Sequence, residues 1–218
     1  MKPKVLVSVP NQMWIHKWVV GSLMLMAKDT KGTEVNFILP SHRPLENNQA
    51  HIMKDFLVGD FDFWVSIDSD NPPTKNPLSL VHLNLDIIGC PTPVLHINPE
   101  KPKDWPIYWN AMDDKVEGGK WVGWKPHVPC QGLQEVDAVG GGCWVIARRV
   151  LQTLKDKMPF QRTWNPDGTV EIGNDFSFCR KAKSEGFKVF THFDYPCRHF
   201  NEVELTEVQE AFVNAIWH

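Results

Sequence analysis

The feature that most constrains this chain is an apolar run, Phe61-Asp62-Phe63-Trp64-Val65-Ser66-Ile67. It stops at two carboxylates one residue apart, Asp68-Ser69-Asp70, followed by Asn71-Pro72-Pro73. A short apolar segment bounded by turn residues fits a strand covered on both faces, and in open α/β sheets the ligand crevice lies beyond the carboxyl ends of the strands. The run is therefore expected to be a buried strand that delivers Asp68 and Asp70 to a crevice floor. Two carboxylates this close repel unless a proton or a cation separates them, and such oxygen donors suit Mg²⁺ or Mn²⁺. Taken alone, Asp-x-Asp fits a solvated turn as well, so the other landmarks decide.

Upstream, Lys4 to Val9 reads as a first strand closed by Pro10-Asn11, because proline cannot continue a central ladder and asparagine favours turns. Apolar residues then recur at helical spacing from Ile15 to Lys28, and Glu34 to Leu39 reads as a second strand. After Pro40 a helix is expected to about Leu57, with Pro44 in its first turn. Arg43 stands just before it, where a guanidinium can make paired hydrogen bonds to phosphate or carboxylate; the plainer reading is a surface arginine paired with Glu46. With Phe63 to Ile67 as third strand, the opening is a β-α-β-α-β unit of the nucleotide-binding kind, lacking the glycine-rich dinucleotide fingerprint and the P-loop. Asn76 is expected to cap a helix to about Leu83, and two short apolar pieces broken by Gly89 and Pro91 follow between Asp86 and Leu95.

Residues 1–97 thus form a first half and 98–218 a second, whose 98–133 stretch alternates prolines with Trp105, Tyr108, Trp109, Trp121 and Trp124. That composition suggests an irregular insertion over the active-site face, with at least one flat aromatic available to an acceptor. Gly140-Gly141-Gly142 before Cys143-Trp144 is costly to order and makes sense where backbone approaches a ligand closely, although a bulge or tight hairpin also fits. Arg148 to Lys157 reads as a helix. A second helix begins at Asn174 or Asp175, either of which suits an N-cap, and Gly186 ends it. Phe187 to Thr191 is a further strand, and Val203 to Trp217 has the apolar stripe of a covering helix.

At 218 residues the chain fits one domain, and a net charge of -3 gives no global reason to bind nucleic acid or membranes. Five scattered cysteines without a leader sequence are expected as free thiols in the cytoplasm, and no apolar stretch is long enough to span a bilayer. His16, His42, His51, His82, His96 and His127 share no close ligand spacing and are read as surface or packed residues.

Together these segments resemble the GT-A fold glycosyltransferases, particularly small family-2-like members of bacteria and phages, from the Val-Pro-Asn end of the first strand to His199. The resemblance implies an α/β fold: a single GT-A, Rossmann-like domain over residues 1–218, with a mostly parallel central sheet flanked by helices and a small antiparallel part. It implies that Asp68, Asp70 and His199 hold Mn²⁺ or Mg²⁺ and that Pro10, Asn11, Arg43, Asp68 and Ser69 bind a nucleotide-diphosphate sugar, a UDP-sugar being favoured. It also implies that Gly141, Gly142, Trp144 and Asn174 border the acceptor, with Asp175 as general base of an inverting transfer. The family's glutamate before that aspartate is Asn174 here, which removes a negative charge. The acceptor is expected to be a glycan, a metabolite or modified DNA. Two other functions compete: a sugar-nucleotide-forming nucleotidyltransferase, disfavoured because Val9-Pro10-Asn11-Gln12 replaces a glycine- and arginine-rich loop, and a non-catalytic carbohydrate- or nucleic-acid-binding module.

Overall fold

The computed structural model describes residues 1–95, 107–128 and 130–201. Strands β1 (Lys4–Ser8), β2 (Glu34–Ile38) and β3 (Phe63–Ile67) alternate with helices α1 (Lys17–Lys28) and α2 (Leu45–Val58). Helix α1 starts after His16 because that side chain caps it, accepting from the Trp18 N–H. A 3₁₀ helix (Pro77–Leu83), capped by Asn76, leads to β4 (Ile87–Gly89), β5 (Pro93–Leu95) and β6 (Ile107–Trp109). Then come β7 (Ala111–Glu117), β8 (Lys120–Pro126), β9 (Leu133–Val136), β10 (Ala138–Val139), β11 (Cys143–Ala147) and α3 (Arg148–Leu154). The pair β12 (Thr163–Trp164) and β13 (Val170–Ile172), helix α4 (Asn174–Ser184) and β14 (Val189–His192) complete the described order.

One sheet takes the order β2-β1-β3-β11-β4-β14-β9. Strands β2, β1, β3, β4 and β14 run one way, whereas β11 and β9 run against them. Three small antiparallel sheets, β10-β7-β8, β12-β13 and β5-β6, stand beside it. This is a Rossmann-like α/β domain with helices on both faces of a mostly parallel sheet.

Strand β3 shows why. Its period of two sends Phe63, Val65 and Ile67 into a core with Val19 and Met26 of α1 and Leu78 and Val81 of the 3₁₀ helix. Trp64 goes to the opposite core with Ile52 and Phe56 of α2, Leu151 of α3 and Phe178 of α4. Burying each large apolar side chain is worth roughly 1.5–3 kcal/mol, so the two cores fix the strand's register. The one polar atom of the Trp64 indole is satisfied by Ser8 Oγ at 2.7 Å.

The 98–133 stretch differs from the irregular insertion expected of it. Residues 111–126 form a β-hairpin, β7 and β8, turning at Gly118-Gly119 with φ of 58° and 77°. Trp124 lies edge-on to Trp121 at 5.5 Å and to Phe176 at 5.2 Å, and the Arg180 guanidinium sits 4.3 Å from the Trp121 ring. These tryptophans pin the hairpin to α4, so their aromatic faces are used in packing. Trp105 and the helix expected over 203–217 lie outside the described residues.

The guanidinium of Arg148, at the start of α3, donates to the carbonyls of Leu57 (2.8 Å), Gly59 (2.9 Å) and Phe61 (2.9 Å), closing the end of α2. Arg148→Met leaves those carbonyls unpartnered and is expected to lower stability by roughly 2–4 kcal/mol, read from the urea midpoint; a loss within measurement error refutes the capping role.

Candidate functional site

Beyond the end of β3 the backbone is tied from three directions. The Asp68 N–H donates to Gly142 O (2.8 Å), the His16 N–H to Ser69 O (2.8 Å) and the Phe200 N–H to Asp70 O (3.1 Å). The carboxylate loop is thus held by the glycine turn, the start of α1 and the segment after β14. His199 comes from that last segment. Its Nδ1 lies 2.8 Å from Pro93 O, and since a carbonyl only accepts, Nδ1 carries a proton, which leaves Nε2 as the ring atom available to bind a cation in the neutral form. Nε2 stands 3.8 Å from Asp70 Oδ2, too long for a hydrogen bond. An imidazole lone pair beside a carboxylate, with a carbonyl orienting the ring, is a donor set that fits a divalent cation. Asp70 and His199 are the pair that would hold it, whereas the Asp68 carboxylate does not come within 4.8 Å of both of them.

Electrostatics agree with that chemistry. Burial pushes the Asp68 carboxyl well above the usual carboxylate range, and the charges of Asp70 and Asp175 push it further. Burial also raises Asp70, with His199 and His16 pulling it back. Burial raises Asp175 too, against the opposing N–H groups of Phe176 and Gly141. Asp68 and Asp70 line one cavity, and Asp175, which is not among its lining residues, adds its charge to Asp68 from the far side of the glycine turn. Acids this close with too little countercharge need a cation or a proton.

A stability prediction follows. Between about 4, the ordinary carboxylate value, and their raised values, these acids stay protonated in the native protein while the unfolded chain has released the protons. Their contribution is thus fully present below about pH 4 and is lost as pH rises through the raised native values. In chelator, Asp68→Asn is expected to melt at or above wild type at neutral pH and to have no such advantage near pH 4. A variant less stable than wild type at neutral pH would show that the Asp68 charge is already compensated by protein groups.

The carboxylates open onto a cavity of about 260 Å³ lined by Pro10, Asn11, Trp14, Asn48, Asp68, Ser69 and Asp70 among others. His42 is also on its wall, whereas Arg43, exposed at the start of α2, is not among its lining residues. Asn11 is engaged within the protein: its amide nitrogen donates to Val9 O and Pro40 O, and its Oδ1 accepts from Met13 N–H. It shapes the wall by joining the ends of β1 and β2. Asn48 Oδ1 is buried with no protein partner. Arg43 does not pair with Glu46, which is matched instead by Arg162. A larger, apolar cavity of about 710 Å³ lies elsewhere, between α2 and residues 158–164.

The glycine turn joins the acids. Gly142 O accepts from Asp68, and the adjacent Gly141 N–H donates to Asp175 Oδ2 at 3.1 Å. Asp175 is not the N-cap expected of it. Gly173 occupies that position, and Asp175 stands in the first turn of α4 with Oδ1 accepting from the Phe176 N–H at 2.8 Å. Asn174 donates to Gln49 Oε1 of α2 at 2.8 Å and so ties two helices together.

The acceptor-side expectations for Gly141, Gly142 and Trp144 need correction, because all three are buried. A Cβ at Gly140 would fall 1.3 Å from Asn110 Nδ2, and one at Gly142 would fall 2.6 Å from both Asn71 Oδ1 and Thr92 Oγ1. The protein's own packing requires those two glycines. At Gly141 the nearest atom to a Cβ would be Asp175 Cβ at 3.7 Å, so its backbone serves that acid. Trp144 is fully enclosed, packed on Phe178 at 5.2 Å, and cannot face an acceptor.

His16, Trp14, His42 and Asn48 were missed from the sequence. His16 had the clearest signal, lying a few residues beyond the first strand's carboxyl end; its ring stacks on Phe200 at 3.9 Å beside Asp70.

No protein-family model and no curated sequence matches the chain. Among solved structures, A197 from STIV superposes with a TM-score of 0.56 at 14% identity, over 93% of this chain and 87% of that one. The shared fold is the α/β arrangement described above. Two structures of UDP-glucose pyrophosphorylase, one complexed with UDP-glucose and one apo, superpose at TM-scores of 0.48 and 0.47 with 10% and 9% identity. Each alignment spans 100% of this chain and 99% or 98% of the other, and at that level neither adds to the assignment. Among the described residues, no helix is long and apolar enough to cross a membrane.

Proposed function

We propose that the protein is a metal-dependent glycosyltransferase of the GT-A type, moving a sugar from a nucleotide-diphosphate donor, UDP-linked by preference, to an acceptor hydroxyl with inversion. The observation that carries the reading is the glycine turn that holds two acids at once, Asp68 through Gly142 O and Asp175 through the Gly141 N–H, beside a cavity at the carboxyl end of the sheet. One acid belongs to a donor-binding pair and the other is left to handle a proton.

The donor diphosphate sits against Asp68, Ser69 and Asp70, with Pro10, Asn11 and Asn48 closing the nucleotide side and Trp14 offering a ring for the base to stack on. Asp70 and His199, with Asp68 beside them, would hold a divalent ion, Mn²⁺ or Mg²⁺, and such an ion would supply positive charge to the departing diphosphate. As the acceptor oxygen bonds to the anomeric carbon, the bond to the β-phosphate oxygen breaks with its electrons, and the acceptor's proton passes to Asp175. Desolvation makes Asp175 a stronger base than a solvated carboxylate, and its two backbone donors keep it aimed.

Incubation with Mn²⁺ and a panel of UDP-, GDP- and TDP-sugars, scoring nucleoside diphosphate, is expected to show release from one nucleotide class. Release of none, with pyrophosphate-dependent formation of nucleoside triphosphate, would assign a nucleotidyltransferase instead.

A further inference from the structure

Beside this site, on the α1 side of the sheet, two strand ends and the segment after β14 bring Cys90, Cys143 and Cys197 together with all three Sγ atoms within 4.8 Å of one another. The residues are 2%, 0% and 3% exposed. Cys90 and Cys143 face each other where β4 ends and β11 begins, joined by a 2.7 Å bond from Cys90 N–H to Cys143 O, and Cys197 is anchored by its N–H to Pro91 O at 2.9 Å. We propose that this triad is a binding site for a soft, closed-shell cation of the Cu⁺ or Zn²⁺ class, separate from the hard-cation site at Asp70 and His199.

A buried cysteine is often just a small apolar residue, touching hydrocarbon. Here three cysteines far apart in sequence meet sulfur to sulfur, two of them at the adjoining ends of paired strands β4 and β11 and the third in the segment after β14, which is tied to Pro91 and Pro73. Thiolates bind a metal at about 2.3 Å, which sets the sulfurs roughly 4 Å apart around one ion, close to the spacing already present. Thiolate donors favour Cu⁺ and Zn²⁺ over Mn²⁺ and Mg²⁺. Three sulfurs complete the shell of a three-coordinate Cu⁺, whereas Zn²⁺ takes a fourth donor. A cation also offsets the cost of three thiolates in an apolar core.

The placement couples the triad to the carboxylates. Cys143 pairs in register with Ile67, and its neighbour Gly142 accepts from the Asp68 N–H, so an ion on the triad stiffens the backbone that carries Asp68.

The test uses the reduced full chain without oxygen, titrated separately with Cu⁺, Zn²⁺ and, as a spectroscopic probe, Cd²⁺. A thiolate-to-metal charge-transfer band saturating at a single ion per chain, with a raised melting temperature, is expected. Cys90→Ser and Cys197→Ser are expected to abolish the band and the shift, while Cys130→Ser and Cys179→Ser keep both. Saturation by Cu⁺ but not Zn²⁺ marks a three-coordinate site, and the reverse marks recruitment of a fourth donor. The proposal is overturned if folded wild type takes up no ion, or if the triad variants bind as wild type does. Should Cys90→Ser not fold, Cys197→Ser decides alone. Mn²⁺ stabilisation that survives both triad substitutions separates this site from the carboxylates.

Discussion

Asp175→Asn is expected to lower sugar transfer by about 10²- to 10⁴-fold while donor affinity stays at the wild-type value. The substitution is chosen because an amide keeps the shape of the side chain and one acceptor oxygen. The bond from the Phe176 N–H can therefore persist, and only the acceptor for the Gly141 N–H is at risk. A purely structural acid would lose roughly 1 kcal/mol of stability and little rate. The two roles separate on pH as well. Burial raises the native value of Asp175, so the acid limb of the rate profile should lie above the ordinary carboxylate value of about 4, with activity falling as pH drops through it. Transfer at the wild-type rate in the variant, or a profile unchanged by the substitution, would leave Asp175 as a first-turn acid of α4 and remove the general base from the proposal.

The parts of this site that the sequence disclosed are those whose physics is local. Strand β3 announced itself by a mostly apolar run stopping at Asp68, and α2 and the 3₁₀ helix by Pro44 and Asn76 at their starts. The hairpin of β7 and β8 also carried a local signal, Gly118-Gly119 between two stretches of similar length. Its prolines and tryptophans drew attention to composition instead of alternation. What could not be read is whatever depends on a distant partner. Gly140 and Gly142 have no side chain because Asn110, Asn71 and Thr92 occupy the space, and nothing near the glycines in sequence distinguishes that from the approach of a ligand. Trp144 shows the same limit: an aromatic beside a glycine turn suits an acceptor wall, but the period of β11 turns it into the core against Phe160 and Phe178. Ligand spacing along the chain does not single out His16, because the fold assembles His16, Asp70 and His199 from three separate segments.

Mn²⁺ is expected to raise the melting temperature of the wild type, and Asp70→Ala to abolish that rise and, independently, to reduce donor turnover by roughly two to four orders of magnitude. Asp70 serves the fold through its backbone, whose carbonyl accepts from the Phe200 N–H, while its carboxylate meets its own backbone N–H and stands 3.8 Å from His199 Nε2, so removing the side chain strands no distant group. The apo variant should therefore melt close to apo wild type. The divergence must appear only with the ion present, because binding to the native state alone stabilises by RT ln(1 + [L]/Kd). It should also grow with pH. Below about 4 the carboxyls are protonated and compete with the ion; as pH rises through their raised native values, the ion gains charged donors while the metal-free protein loses stability. His199→Asn provides the paired test, since it removes the Nε2 donor and leaves Asp70 in place. If Mn²⁺ stabilises both variants as it does wild type, the ion is bound elsewhere and Asp70 and His199 lose their assignment together. If it stabilises His199→Asn but not Asp70→Ala, the carboxylates alone carry the ion and the histidine only orders the segment after β14.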